Sequence, residues 1–202
     1  MSTHAPAAHG HPHAEAAEIH EQRALGFWLY LMGDAVIFAL LFMTYGIMVG
    51  NTAGGPTGKQ LFDLNNAAVE TALLLSSSIT FGFATLAARQ MSRQAALAWL
   101  AVTFVLGAGF IFLEVREFVG LIRAGAGPDR SGFLSAFFTL VGTHGTHVSF
   151  GLVWIVILGA QIAIKGLTLP VTSRLYRLGL FWHFLDIAWV GIFSVVYLPG
   201  LL

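Results

Sequence analysis

The chain has 202 residues, 56% of them hydrophobic and 10% charged, with ten basic side chains against ten acidic ones. A soluble domain carries roughly 25% charged residues, so this chain cannot cover a water-facing outside with polar groups, and lipid is its solvent. The even charge balance points away from nucleic acid as a partner. The absence of cysteine excludes disulfides, iron–sulfur clusters, thiolate metal sites and c-type haem attachment.

Residues 1–24 hold five of the eight histidines among Ala, Pro and Glu. Such a stretch cannot build a core and is expected to be a disordered cytoplasmic tail, weak metal binding being its one functional alternative. Its polar, acidic opening lacks the basic start and short apolar core of a secretory signal.

Residues 25–202 read as one all-α membrane domain. Apolar runs over 25–49, 67–88, 95–118, 133–163 and 175–198 each reach the roughly 20 residues that a bilayer core demands. The fourth is long enough to tilt or protrude. The connections are short and carry turn residues, as in "NTAGGPTGK" and "GAGPDRSG". "GGPTGKQ" is not a phosphate loop, because Ala53 and Gln60 stand where that motif needs Gly and Ser or Thr. An odd number of spans without self-similarity argues against a transporter built from inverted repeats.

Basic residues set the orientation. A cytoplasmic N-terminus puts Arg23, Arg89, Arg93, Lys165, Arg174 and Arg177 inside, against Lys59, Arg123 and Arg130 outside. The C-terminus is then periplasmic.

Charge within a bilayer costs roughly 2.5–3.5 kcal/mol at mid-helix on insertion scales, so each polar residue in a span requires a partner or a purpose. Asp34 sits in "YLMGDAVIFALLF" with no basic residue within a turn, and a structural hydrogen bond accounts for it more simply than a proton relay. Glu70 lies early in the second span. Glu114 and Glu117, one turn apart in the third, are expected to form a solvated rim at the outer interface with Arg116. His144 and His147 share a face of the fourth span, where Gly142 and Gly145 admit a close neighbouring backbone. His183 and Asp186, one turn apart in the fifth, are placed for an imidazole N–H to reach the carboxylate. Ser76, Ser77, Ser78 and Thr80 offer ordinary interhelical hydrogen bonds. Three histidines in spans, two sharing one turn, leave room for a single haem at most and none for a haem–copper pair; the structural reading has more support.

"LGAGFIFLEVREF", "GTHGTHVSFG" and "GLFWHFLDIAWVGIFSVVYL" resemble, in that order, signature segments of subunit III of the haem–copper oxidases. The likeness covers residue 25 to the C-terminus and is nearest to the bo-type ubiquinol oxidase branch; the cytochrome c oxidase branch is the alternative. The resemblance implies a non-catalytic subunit of a proton-pumping terminal oxidase in the bacterial inner membrane. In it, His144, His147, His183 and Asp186 match polar helix-packing positions and are not redox ligands. Asp34 falls where many members carry a glutamate near lipid and the catalytic subunit. Glu117 matches a family glutamate, and Glu70 stands where cytochrome c oxidase members tend to have asparagine. The resemblance places haem and copper in subunit I and none in this chain. It implies contact chiefly with subunit I, also with subunits II and IV, and a bound phospholipid. The competing functions are an independent proton-coupled transporter using Asp34, Glu70 and Asp186, and a haem-carrying anchor of a dehydrogenase.

Overall fold

The computed structural model describes residues 12–199, with side chains from residue 25 onward. Helix α1 runs Pro12–Met48, followed by a single turn α2 (Gly58–Leu61), then α3 (Leu64–Arg89), α4 (Arg93–Arg123), α5 (Gly132–Lys165) and α6 (Leu169–Ile192). A π-helical turn, Phe193–Tyr197, continues α6, and the Leu198 amide donates to Phe193 across it at 3.0 Å. Five helices are long and apolar enough to cross a membrane: Leu25–Met48, Leu64–Arg89, Arg93–Arg123, Gly132–Lys165 and Leu169–Tyr197. The all-α five-span fold is as the apolar runs predict.

The first helix starts earlier than expected. Residues 12–24 are helical, not disordered, because "HAEAAEIHEQRA" is rich in Ala and Glu, strong helix formers, and Pro12 suits a first helical position. The part of the expected tail over residues 1–11 lies outside the described residues. The fourth run, expected to tilt or protrude, becomes the 34-residue α5. At 1.5 Å per residue that is about 51 Å, well beyond a hydrocarbon core of roughly 30 Å.

Local chemistry fixes the helix ends. Asp63 caps α3 by accepting from the Asn65 amide at 2.9 Å, and Ser131 caps α5 by accepting from the Leu134 amide at 3.2 Å. The α3–α4 turn is tight, with Met91 in the left-handed region at φ 57°. Arg93 then donates to the Ala163 carbonyl, tying that turn to the end of α5.

Helices α3 and α4 form the most extensive pair. Helix α5 packs against α1, α4 and α6, while α6 also packs against α3. Between them lies an aromatic core that includes Phe81, Phe110, Phe137, Trp182, Trp189 and Tyr197. Side chains such as Val36, Leu40, Val105, Phe112, Val153 and Ile187 face outward, as lipid solvent permits. Helix α1 is the least enclosed: 17% of its most apolar window is buried, against 50% for α6. It lies at the edge of the bundle.

Glycines set the closest approaches. A Cβ on Gly107 or Gly151 would come within 2.9–3.1 Å of the Trp182 ring or Leu152, and one on Gly179 within 3.0 Å of Phe81. Small residues let lipid-embedded helices close up in this way. The Trp182 indole fills the space between α4 and α5, and its Nε1–H donates to Ser77 Oγ at 3.0 Å.

Candidate functional site

The polar residues of the spans gather in two groups. The first joins α1, α5, α6 and α3. Asp34, 6% exposed, has no cation on its own helix, yet α5 brings His147 to it, with Nε2 3.8 Å from Asp34 Oδ2. His147 Nδ1–H donates to the Thr143 carbonyl one turn back at 2.8 Å, which turns Nε2 toward the carboxylate. The partner of Asp34 is therefore a cross-helix imidazole, which a search within one turn of its own helix could not reveal.

His144 is fully buried and donates through Nε2–H to the Leu185 carbonyl of α6 at 3.2 Å. Its ring lies 5.1 Å from Trp189 and edge-on to Phe110 at 5.6 Å. This bond realises the expected packing of the fourth and fifth spans through polar faces. His183 departs from its expected geometry: its Nδ1 shares a 2.6 Å hydrogen bond with Ser78 Oγ on α3, and Asp186 Oδ2 stands 3.6 Å from the same nitrogen. The pair with Asp186 is one of charge proximity, while the hydrogen bond goes across to α3. The same helix face supplies Ser77, which donates to Leu74 and accepts from Trp182, and Thr80, bonded to Thr103 of α4 at 2.8 Å. The expected serine and threonine links are these.

The second group corrects an expectation. Glu114 and Glu117 do not form a solvated rim with Arg116. Glu114 is 3% exposed, because its turn of α4 faces α5 and its carboxylate lies where Gly145 leaves room. A Cβ at Gly145 would come within 2.4–2.8 Å of all three carboxylate atoms. The glycine notch receives an acid, not a neighbouring backbone, and Gly142 packs against the Phe118 ring. Glu117 is half-buried and accepts from the Tyr197 hydroxyl at 3.2 Å. Glu70, fully buried on α3, accepts from Asn66 Nδ2 at 2.9 Å, and Arg116 reaches Asn66 Oδ1 at 3.4 Å. Tyr197 was not singled out in the sequence; the π turn that aims it leaves no signature in composition.

The three spanning imidazoles do not converge. Each ring is committed to a different partner, and among the described residues no three His, Asp or Glu side chains are arranged to hold a metal ion. The bundle is thus a multi-pass membrane protein whose buried polar groups bind one helix to another.

Comparison with known proteins agrees. The profile of the family described as Cytochrome c oxidase subunit III matches residues 7–201. The chain is 53% identical to the cytochrome bo(3) ubiquinol oxidase subunit 3 of Pseudomonas aeruginosa, over all of this chain and 98% of that one. It is 54% identical to the protein of the same name from Pseudomonas putida, over 90% of this chain and 88% of that one. It is also 44% identical to the cytochrome c oxidase subunit 3 of Bacillus sp. strain PS3, over 90% and 87%. The chain belongs to the cytochrome c oxidase subunit III family.

Proposed function

We propose that the chain is the non-catalytic subunit III of a proton-pumping haem–copper terminal oxidase of the quinol-oxidising, bo type. The reading that carries furthest is the full-length 53% identity to a ubiquinol oxidase subunit 3, set beside a lower identity to a cytochrome c oxidase subunit 3. Haem and copper then reside in subunit I, against which this chain packs, with subunits II and IV completing the complex in a bacterial inner membrane. The N-terminus faces the cytoplasm. Asp34, Glu70, Glu117, His144, His147, His183 and Asp186 hold helices together or border lipid, and none ligates a redox centre. Bound phospholipid and steady proton uptake by the catalytic subunit are the contributions assigned to this chain.

The outward apolar surface of α1 supports the reading, since a helix so little enclosed by its own chain leaves a face for other subunits or lipid. The test is purification of a tagged chain in mild detergent, with mass identification of its partners and a visible spectrum. Co-purification of a larger haem-bearing subunit and quinol-dependent oxygen consumption is expected. A chain that purifies alone and takes up solutes after reconstitution would favour the transporter, and a haem spectrum from the chain alone would favour the anchor.

A further inference from the structure

The acids of the second group have unmet hydrogen-bonding capacity deep in the bundle. Among the described residues, Glu70 Oε2 and Glu114 Oε2 are buried without any partner. The carboxylates act on one another, Glu114 with both Glu70 and Glu117 and Glu117 with Glu70. Arg116 is the cation acting on Glu70, and its own side chain is exposed. Helix α3 also contributes Asn66 and, at its cap, Asp63, which acts on Glu117; the π turn contributes Tyr197; α5 contributes Gly145, with His144 beside it in sequence.

Three carboxylates and one guanidinium leave excess negative charge inside a lipid-embedded fold, where an uncompensated charge is expensive. An ionised carboxylate is an acceptor only; protonated, it gains an O–H donor. Two orphaned acceptors facing one site with no donor between them are completed by protons, bridged by water where room allows. A metal ion fits less well, because the acids are not arranged as a ligand set. Access is one-sided. Glu70 and Glu114 are sealed, whereas Asn66 and Glu117 are partly exposed near the start of α3 and the later turns of α4.

We propose that Glu70, Glu114 and Glu117 form a proton-storing site, in which Glu70 and Glu114 hold protons that exchange with the aqueous face beyond Asn66 and Glu117. Each uptake converts one carboxylate to a carboxylic acid and changes no other bond. The proton comes from, and returns to, water. The site belongs to this chain's own fold and does not depend on the oxidase reading.

Infrared absorption of the full chain, purified with whatever assembles with it, tests this in H2O and D2O. The parent is expected to show a neutral-carboxyl C=O band that shifts in D2O. Most of that band is lost in Glu114→Gln, and likewise in Glu70→Gln, while Asp129→Asn in an exposed loop leaves it intact. Either glutamine variant alone suffices, so failure of one to fold leaves the other decisive. Loss of ionised-carboxylate absorption instead of the C=O band overturns the proposal. So does a C=O band unchanged in the recovered variants, or carboxylate bands that respond to exchanging sodium for potassium, which would mark a metal cation.

Discussion

The Trp182 ring lies directly over Gly151, so close that a Cβ on the glycine would stand 2.9 Å from a ring carbon. Gly107 faces the same indole from α4. One side chain of α6 is thereby gripped by two other helices and bonded to Ser77 on α3. Adding a methyl group at that contact overpacks a closed interface. Gly151→Ala is expected to destabilise the bundle by roughly 1–3 kcal/mol, read as a lower melting temperature in detergent. An unchanged melting curve would mean that the indole moves aside freely.

His183→Ala removes the partner of Ser78 Oγ and leaves Asp186 without its nearest cation. The expected cost is roughly 1–3 kcal/mol, seen as reduced recovery of assembled complex. Haem absorbance per complex stays unchanged. Loss of a haem signal from otherwise intact complex would give His183 a ligand role that its hydrogen bonding contradicts.

Asp34→Asn keeps a polar group opposite His147 Nε2 while removing the acid. Initial oxygen consumption by the assembled oxidase is expected to stay close to the parent rate. An immediate collapse of turnover would give Asp34 a part in proton transfer.

The orientation can be read directly, because the chain contains no cysteine to remove. Single substitutions Gln90→Cys and Asp129→Cys place thiols at exposed positions on the turns at opposite ends of α4. A membrane-impermeant maleimide applied to intact cells with a permeable outer membrane should label Asp129→Cys and spare Gln90→Cys. The reverse pattern would invert the topology.

Much of this fold is legible in the sequence because lipid imposes length and apolarity on each span, and the short loops leave few alternatives. Which way a side chain faces is less legible. Glu114 and Glu117 sit near a helix end in apolar surroundings, a pattern equally compatible with a solvated rim; only the partner helix shows that Gly145 makes space for an acid. The His147–Asp34 approach and the Ser78–His183 bond join residues over a hundred positions apart, so no local spacing encodes them. The helical start at Pro12 was readable in principle, since alanine and glutamate favour helix, but the histidines and the proline drew the reading toward disorder.

Tyr197 meets Glu117 only because one extra residue is wound into the last turn of α6. Deleting Ser194 would let that segment relax to ordinary winding and swing everything after it by about 100° around the axis. The phenol would then point elsewhere with every atom of its own residue intact. A one-residue insertion in an ancestral helix would, by the same arithmetic, have been enough to bring an aromatic hydroxyl to the acids.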